Sequence, residues 1–539
     1  MNLYLYGYGP PEDHDWIVVD VGVRFADESL PGIDLTMADP AFLEQRRDRL
    51  KGIVLTHGHE DHIGALVHLW PKLQCPVYAT PFTGELLREK INEAHLDGIL
   101  PLEIVPLGGR FPVGPFEVEL IALTHSIPEP NALALRTPAG TVLHTGDWKL
   151  DADPVLGAQT DEHALRALGE EGVVAMICDS TNVLSDGASG SEALVRDSLV
   201  GLIGELKGRV AVTTFASNAG RLDSIARAAV ANGRNVVLAG RAMHRIVRAA
   251  KATGYLKDFP ETVAEDEAGY LPPEKTLILC TGSQAESRAA LARMAEDTHP
   301  SLALGDGDTV IFSSKIIPGN ERGIFQLQNR LASRGIHVLT ERDHFVHVSG
   351  HPCRDELAKM YEWVRPRNVV PMHGETRHLL EHVDFATQHG ADHAVMAVNG
   401  TVVRLAPGRA EIIGEIPQGK LLLDGKVLVP EDAPAVKTRR RLAEEGMVHV
   451  TLIFDKHGEL MEAPIVLTMG IPDELAERDE TIDGDLSERA EAAVEALSDK
   501  QVRDDGAVEE TARRAIRRML KSTWGKRPPV EVDIVRLPV

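Results

Sequence analysis

The six consecutive residues 57–62 include three histidines and two acidic residues: His57-Gly58-His59-Glu60-Asp61-His62. This run follows the apolar stretch 52–55, which is typical of a buried strand. Borderline cations such as zinc favour imidazole ligands, and a carboxylate adds a hard oxygen ligand. His57 and His59 can therefore share one ion, which leaves Asp61 and His62 for a second. The alternative is a surface loop that is rich in histidine by chance, and the position directly after a buried strand disfavours it.

Two ions need more ligands than one loop provides, and three further candidates follow other apparent strands. His125 can complete the first site, the Asp147 carboxylate can bridge both ions, and His373 can cap the second. Asp20, at the end of another strand, is better placed to orient a ligand histidine than to bind metal. Each of these residues alone is more often structural, but their shared position after strands favours a common site. The predicted metal ligands are His57, His59, Asp61, His62, His125, Asp147 and His373.

Length and composition limit the class of protein. A chain of 539 residues is too long for one hydrophobic core, so we expect two or three domains. No stretch approaches the roughly 18 uninterrupted apolar residues that span a bilayer, and the opening residues do not form a signal segment. We therefore expect a cytoplasmic protein without a membrane partner. Four cysteines without a Cys-x-x-Cys pair predict reduced thiols rather than disulfides.

The formal net charge of -24 bears on nucleic-acid binding. Such a charge argues against indiscriminate binding to a phosphate backbone. It does not exclude a nuclease, because a nucleic-acid strand needs only a locally positive path and bound metal ions supply positive charge.

The middle of the chain alternates apolar runs with helical stretches. Residues 209–213, 235–239, 276–279 and 309–312 are typical of buried strands, and residues 219–232 of a helix between them. This alternation predicts a parallel sheet flanked by helices, inserted into the first domain. The predicted organisation is a first domain in two parts (1–179 and 351–430), an inserted domain (180–350), a charged linker (431–446) and a C-terminal α+β domain (447–539).

The ligand candidates resemble the motif set of the metallo-β-lactamase superfamily. Asp20 stands at the position of the first motif, residues 57–62 at the second, His125 at the third and Asp147 at the fourth. This resemblance covers the first third of the chain. It does not specify a substrate, because hydrolases of lactams, thioesters and phosphodiesters share these motifs.

Later residues resemble the β-CASP nucleases of that superfamily. Asp179, His351 and His373 stand at the positions of the A, B and C motifs of that group. A histidine at the third position is associated there with RNA and a valine with DNA, so the resemblance favours RNA. The implied fold is α/β: a metallo-β-lactamase αββα sandwich with an inserted β-CASP parallel-sheet domain and a small α+β C-terminal domain.

Further segments are similar to bacterial ribonuclease J nearly from end to end, including residues 30–34, 214–218, 281–284, 317–321 and 524–528. This resemblance implies 5′-to-3′ exonuclease activity on 5′-monophosphorylated RNA, often with endonuclease activity, in RNA maturation and decay. It also implies homodimers or homotetramers, and other RNA-decay proteins as partners. The glycine-rich opening strand usual in this family before residues such as Asn2 is missing, and a truncated start is one interpretation.

The hypothesis that follows is two-metal phosphodiester hydrolysis. Two cations about 3.5–4 Å apart can activate a water and stabilise the charge that develops on phosphorus. Two Zn²⁺ per subunit are expected, with Mn²⁺ or Mg²⁺ as alternatives. Asp61 is placed to orient the attacking group while it binds metal. His351, with Asp179 as its orienting partner, is expected to stabilise the transition state or to protonate the departing 3′ oxygen.

A pocket for the 5′-phosphate would explain cutting that starts at an RNA end. Hydroxyl, amide and imidazole donors beside a glycine suit an anion, and the candidates are Ser217, Asn218, His347, Ser349 and His351. An equally weighted alternative is that Ser217 and Asn218 only cap the following helix.

Other functions stay open from the sequence. A thioester or lactone hydrolase of the same superfamily would share the histidine loop but has no need of Asp179 or His351. A non-catalytic RNA-binding scaffold would be expected to have lost ligands, and all seven candidates are present.

Overall fold

Two structural units make up the part of the chain that the computed structural model describes, residues 1–10, 12–27, 29–476 and 481–538. The first unit consists of Met1–Arg24 and Met37–Gln418. The second consists of Phe25–Thr36 and the residues from Gly419 onward. The short strands Val23–Phe25 and Leu35–Ala38 lie at the two ends of the segment Phe25–Thr36.

Two sheets face each other in the first unit. One has five strands, in the spatial order Tyr4–Tyr8, Asp15–Val19, Leu50–Val54, Val77–Ala79 and Leu102–Ile104. The other has seven, in the order His393–Ala394, Asn368–Met372, Val173–Asp179, Gly140–His144, Asn131–Thr137, Phe116–Ala122 and Arg110–Val113. Buried residues of both sheets, such as Ile17, Val54, Leu133 and Ile177, form one core cluster. The hairpin Thr401–Arg404 and Glu411–Glu415 also belongs to this unit.

Helices cover the outer faces of this sandwich. Leu165, Met360, Tyr361 and Phe385 lie on helices and pack with the seven-stranded sheet in a second core cluster. The helices of the sandwich are Ala41–Glu44, Glu60–Ile63, Leu66–Leu73, Pro81–Glu93, Glu162–Glu171, Arg354–Val364 and Thr376–Gln388, with a short 3₁₀ turn at Arg47–Arg49. The αββα sandwich expected from the family resemblance is confirmed.

A third sheet of the first unit is inserted between two adjacent strands of the sandwich. Asp179 pairs with Met372 in parallel strands, and the residues between those strands include six parallel strands. Their order is Thr262–Val263, Asn235–Ala239, Thr276–Cys280, Val210–Thr213, Thr309–Phe312 and His337–Leu339. The accompanying helices are Glu192–Glu205, Ala219–Ala231, Arg241–Ala252, Ala290–Ala295 and Glu321–Ser333, with 3₁₀ turns at Ala268–Tyr270 and Pro273–Lys275. The predicted inserted parallel-sheet domain is confirmed.

The second unit is α+β. Its sheet has three strands, in the order Ile465–Met469, Met447–Phe454 and Val530–Arg536. Apolar residues of the sheet and of two helices, among them Val450, Leu486 and Ile516, form its core. The hairpin Lys420–Asp424 and Val427–Pro430 also belongs to this unit, and Asp34 donates its backbone N–H to the Leu423 carbonyl. The helices are Pro434–Glu445, Ile482–Glu495, Asp499–Val502 and Asp505–Thr523, with a 3₁₀ turn at Asp473–Leu475.

The predicted linker at residues 431–446 contains the helix Pro434–Glu445. Pro434 starts the helix, where its missing N–H is no loss. Val436 is buried in a small cluster with Leu30, Ile33 and Leu422, so the charged run is one face of a packed helix. The division of the chain into domains by sequence otherwise stays a prediction.

Two expectations about environment can be compared with the described part of the chain. Cys75, Cys178, Cys280 and Cys353 are buried and form no disulfide. None of the described helices combines the length and the apolar character needed to cross a bilayer.

Candidate metal centre

The candidate ligands stand just beyond the carboxyl ends of strands in both sheets of the sandwich. The strand Leu50–Val54 leads to residues 57–62, Phe116–Ala122 to His125, Gly140–His144 to Asp147, and Asn368–Met372 to His373. Leu50–Val54 runs parallel to Asp15–Val19, and Gly140–His144, Val173–Asp179 and Asn368–Met372 run parallel to one another. Parallel strands end at one edge of a sheet, which brings these side chains together from distant parts of the sequence.

The first group of ligands consists of His57, His59, His125 and Asp147. His57 Nε2 and His125 Nε2 each lie 3.1 Å from His59 Nδ1, and each lies 4.0 Å from Asp147 Oδ2. The four ligand atoms all lie within 4.8 Å of one another. Three imidazoles and one carboxylate that converge in this way match the donor set of a tetrahedral zinc site.

The second group consists of Asp61, His62, His373 and again Asp147. His62 Nε2 lies 3.1 Å from Asp147 Oδ2 and 3.5 Å from Asp61 Oδ2. His373 Nε2 lies 3.4 Å from Asp61 Oδ2 and 3.5 Å from Asp147 Oδ2. Asp147 therefore belongs to both groups, which is the position expected of a bridging carboxylate. The structure brings together all seven side chains that the sequence predicts as ligands.

Asp20 lies behind the second group and contacts one of its ligands, His62. Its Oδ2 lies 2.7 Å from His62 Nδ1, so the Nε2 atom of that ring points to Asp147. The Asp20 carboxylate also accepts hydrogen bonds of 2.8 Å from the Thr56 N–H and hydroxyl. The Thr56 hydroxyl in turn lies 2.9 Å from His57 Nδ1. One buried carboxylate thus orients a histidine of each group, as partners of metal ligands commonly do.

The electrostatics of the first group favour neutral imidazoles. Burial, and then the neighbouring histidines, lower the pKa of His57 and His125 well below the ordinary value. Burial also lowers the pKa of His59, to about 4. At neutral pH these rings are uncharged and carry a free lone pair, which is the form that binds a metal ion.

The second group concentrates negative charge. Burial opposes the charge on His62, yet the carboxylates of Asp147, Asp61 and Asp20 raise its pKa to about 10. Burial likewise opposes the charge on His373, and Asp147 raises its pKa well above the usual range. In the described part of the chain the buried Asp147 Oδ1 has no hydrogen-bond partner. Carboxylates that hold protons on two buried imidazoles fit divalent cations, which would replace those protons and bind the free oxygen.

His351 and Asp179 form a pair at the edge of the ligand groups. His351 Nδ1 lies 2.7 Å from Asp179 Oδ2. Burial opposes the charge on His351, but the Asp179 carboxylate raises the pKa of the ring. The ring centroid lies 5.4 Å from that of His373 and 5.1 Å from that of His125. A Cβ on Gly350 would lie 2.8 Å from His125 Cε1, so only glycine lets this loop approach so closely, and the Gly350 carbonyl lies 2.5 Å from His125 Nδ1.

The residues suggested for a 5′-phosphate pocket have different environments. Asn218 is buried, its Oδ1 accepts the Arg221 N–H at 2.8 Å, and its Nδ2 donates to Glu192. It is the cap of the helix Ala219–Ala231, and both ends of its amide are engaged. Ser349 Oγ accepts hydrogen bonds from Asn182 Nδ2 at 2.8 Å and from the His351 N–H at 3.2 Å. Its own hydroxyl hydrogen has no acceptor among the residues that the structure describes.

Several residues at or near the site have no role in the sequence prediction. Thr181 contacts both Asp179 and His373 through its hydroxyl. Asn182 Nδ2 donates to Ser349 Oγ and to the His351 carbonyl. These residues stand two and three positions after Asp179, and that proximity was the only signal in the sequence. Asn2 Nδ2 lies 3.2 Å from Asp61 Oδ2 and 2.9 Å from His62 Nε2, and no motif in the sequence indicates it.

Four family models match successive parts of the chain. The Beta-lactamase superfamily domain matches residues 15–165 and the Ribonuclease J, beta-CASP domain residues 207–331. The Zn-dependent metallo-hydrolase RNA specificity domain matches residues 335–396 and the Ribonuclease J C-terminal domain residues 434–537. These segments cover both parts of the sandwich, the inserted sheet and the C-terminal α+β domain.

Relatives that cover four fifths or more of the chain agree with these matches. Ribonuclease J of Sinorhizobium meliloti is 45% identical over 537 residues, which cover 100% of this chain and 95% of that protein. Ribonuclease J of Corynebacterium glutamicum is 38% identical, with 96% of this chain and 72% of that protein covered. For Ribonuclease J of Thermus thermophilus the identity is 38%, and the coverage is 81% and 78%. The chain therefore belongs to the ribonuclease J family.

Proposed function

We propose that this chain is a metal-dependent ribonuclease that hydrolyses phosphodiester bonds of RNA in RNA processing. We propose further that it acts as a 5′-to-3′ exonuclease on 5′-monophosphorylated RNA, with endonuclease activity besides, in RNA maturation and decay in the cytoplasm. The observation that carries the proposal is the convergence of seven imidazole and carboxylate side chains from the ends of four strands, next to the pair Asp179 and His351. The similar proteins named above are ribonucleases, which supports RNA as the substrate class.

We propose two Zn²⁺ per subunit, with Mn²⁺ or Mg²⁺ as alternatives. Three imidazoles in the first group suit zinc better than magnesium, which prefers oxygen ligands. Bound cations at this centre supply Lewis acidity that lowers the pKa of a water and neutralises phosphate charge. All other parts of the mechanism fall to side chains of this protein.

Asp61 is the group that we propose to orient the attacking water. Its side chain is 40% exposed, whereas those of His62 and Asp147 are 2% and 3% exposed. The carboxylate therefore stands where solvent and substrate can reach the second group. An Asp61 oxygen that accepts a hydrogen bond from the water would hold it for attack on phosphorus.

His351 is the group that we propose as the acid for the departing 3′ oxygen. Its Nδ1 is bound to Asp179, and the Asp179 carboxylate raises the pKa of the ring against the effect of burial. In its protonated form the ring has its Nε2–H free to donate. The side chain is 22% exposed, so the leaving group can reach it. Positioned acids of this kind contribute about 10²–10⁴-fold to rate.

A pocket for the 5′-phosphate would be formed by Ser349, His347 and Ser217, next to His351. Ser349 supplies a hydroxyl whose hydrogen has no acceptor among the described residues, as noted above. His347 Nδ1 lies 3.5 Å from the guanidinium of Arg221. Burial, and then Arg221, lower the pKa of His347 to about 3, so this ring is neutral and acts as a hydrogen-bond donor. Asn218, which caps its helix, is left out of this pocket.

Two other functions are less well supported. A thioester or lactone hydrolase would use the metal centre without an acid such as His351, and a non-catalytic RNA-binding scaffold would not preserve all seven ligands. We further propose homodimers or homotetramers that associate with other RNA-decay proteins, as membership of the ribonuclease J family implies.

A substrate panel tests the proposed function. Purified protein is incubated with single-stranded RNA, with DNA of the same sequence, and with small thioester and lactone substrates, each with and without a chelator. We expect chelator-sensitive cleavage of RNA and at most weak turnover of the other substrates. Hydrolysis of a thioester or lactone without cleavage of RNA would refute the proposal, and so would RNA binding without cleavage.

A further inference from the structure

The Thr181 hydroxyl links Asp179 to His373. Its Oγ1 lies 2.7 Å from Asp179 Oδ1 and 2.9 Å from His373 Nδ1. His373 directs its other ring nitrogen, Nε2, to Asp61 and Asp147. The hydroxyl therefore lies on the side of the ring that faces away from the candidate metal centre.

A count of hydrogens decides which nitrogen of His373 carries its proton when the ring is neutral. Asp179 accepts hydrogen bonds from the Thr181 N–H at 2.9 Å and lies 2.7 Å from His351 Nδ1, as expected of an ionised carboxylate. Thr181 Oγ1 and Asp179 Oδ1 are close enough that a hydrogen must lie between them. An ionised carboxylate carries no hydrogen, so the Thr181 hydroxyl donates to Asp179. A hydroxyl has one hydrogen, so towards His373 it can only accept. Nδ1 must then carry the hydrogen, and Nε2 keeps its lone pair.

We propose that Thr181 is a positioning residue that fixes His373 in the Nδ1–H tautomer and turns its Nε2 lone pair to the second ligand group. This inference rests on the proposed function, since it assumes that the second group binds an ion. A histidine ligand is neutral, and the partner of its other nitrogen sets the tautomer and the ring orientation. Without the hydroxyl, the next acceptor for Nδ1 is Asp179 Oδ1 at 3.6 Å, beyond hydrogen-bond range.

The backbone of His373 is held by its turn as well as by this hydroxyl, which also lies 3.1 Å from the His373 carbonyl oxygen. Its φ of 55° lies in the left-handed region, which is uncommon for a side chain of this size. Gly374 follows, and a Cβ there would lie 2.9 Å from His378 Cβ and 3.2 Å from Ser180 Cβ. The turn is thus packed tightly against neighbouring segments. Removal of the Thr181 hydroxyl takes away one contact to this backbone and leaves the packing of the turn in place.

Metal binding by the full-length protein tests this role without an activity assay. Protein stripped of metal is titrated with Zn²⁺ in competition with a chromophoric chelator, which gives the number of ions and a dissociation constant for each. Thr181→Val keeps the shape of the side chain and removes the hydroxyl, and Thr181→Ser keeps the hydroxyl. Thr253→Val is the matched control, because Thr253 is also half-buried and its hydroxyl donates only to the Ala249 carbonyl on its own helix.

We expect Thr181→Val to weaken one of two zinc sites about 10–100-fold and to leave the other unchanged. Thr181→Ser should restore the weakened site, and Thr253→Val should bind both ions normally. General damage to the fold would weaken both sites equally, which distinguishes it from the proposed role.

The role of Thr181 is overturned if Thr181→Val binds both ions as tightly as the unaltered protein, or if it weakens both sites alike. Failure of Thr181→Ser to restore the weakened site also overturns it. Unaltered protein that binds fewer than two ions overturns the two-ion proposal itself, which is a different result. If Thr181→Val does not fold, Thr181→Ala takes its place and the same outcomes decide.

Discussion

His351 Nδ1 lies 2.7 Å from Asp179 Oδ2, so a fully buried carboxylate holds a histidine that is not among the seven candidate metal ligands. The cluster of imidazoles therefore contains candidates for two functions, metal binding and proton donation to the substrate. We propose that the seven ligand candidates hold cations, whereas His351 keeps Nδ1 on Asp179 and presents Nε2 to the substrate. Variants at the two kinds of position should therefore behave differently.

Replacement of His351 by alanine should slow RNA cleavage about 10²–10⁴-fold, the range expected when a positioned acid is lost. The zinc content should stay that of the unaltered protein, because His351 is not one of the ligands. Single-turnover cleavage and metal analysis of the same preparation measure both quantities. His163→Ala, at an exposed helical position, is the control. Loss of metal equal to that of His57→Ala would contradict a separate role for His351.

Replacement of Asp20 by asparagine should weaken metal binding about 10–100-fold, as loss of a partner of ligand histidines does. The amide has one acceptor oxygen where the carboxylate has two, and it places an NH₂ group against either Thr56 or His62. Competition with a chelator measures the affinity. Asp48→Asn changes an exposed carboxylate of the same unit and should have no effect. Unchanged zinc affinity in Asp20→Asn would show that Asp20 does not orient the ligands.

Glu192 and Arg221 form a buried ion pair in the inserted domain, at 2.8 Å. Glu192→Gln should destabilise the protein by about 3–5 kcal/mol, because it leaves the Arg221 charge buried without a partner. Denaturant unfolding at pH 7 measures this loss, and Glu205→Gln, at an exposed position, is the control. An effect of Glu192→Gln no larger than that of the control would contradict the prediction.

The same ion pair gives a pH dependence. Burial raises the pKa of Glu192. The charge of Arg221 and its hydrogen bond lower that pKa by a larger amount, so the net value lies below the ordinary 4.5. A lowered pKa contributes stability that is fully present above pH 4.5 and is lost as the pH falls through the folded-state value. The difference in stability between the unaltered protein and Glu192→Gln should therefore narrow in acid. A difference that stays constant down to acid pH would show that the charge of Glu192 is not its cause.

Cleavage from the RNA end should depend on the 5′ group. RNA with a 5′-monophosphate should be degraded faster than RNA with a 5′-triphosphate. His347→Ala should reduce that preference about 10–150-fold, since one hydrogen bond to a charged group is worth roughly 1.5–3 kcal/mol. Initial rates on the two RNAs, with an internally cleaved circular RNA as a reference, measure the preference. Equal rates of degradation of both RNAs by the unaltered protein would refute the proposed 5′-phosphate pocket.

Much of the fold can be predicted because its strands are distinctive. Strands buried on both faces, such as Thr276–Cys280 and Val210–Thr213, are continuous apolar runs with turns between them. The ligands could be found because they follow such strands in a pattern that resembles a known motif set. The hydrophobic pattern does not predict that Phe25–Thr36 belongs to the second unit. That assignment depends on contacts between residues distant in sequence, such as Asp34 and Leu423.

The residues that the sequence analysis missed act through geometry rather than through residue type. The role proposed for Thr181 depends on a hydroxyl that lies between Asp179 and a histidine 192 positions later. Asn218 was equally compatible with a phosphate pocket and a helix cap, and only the observed partners of its amide separate the two interpretations. A threonine or an asparagine in a loop has no such meaning until the tertiary contacts are known.

The most direct test of the account is the cleavage of 5′-monophosphorylated, 3′-end-labelled RNA by protein stripped of metal and then reloaded with measured amounts of Zn²⁺. Product lengths and rates are followed as zinc is added, with Asp147→Ala in parallel. The account predicts no cleavage by the stripped protein, full cleavage only as the second equivalent binds, and none by Asp147→Ala. Full activity in excess chelator, or after a single equivalent, would contradict a centre in which Asp147 joins two ions.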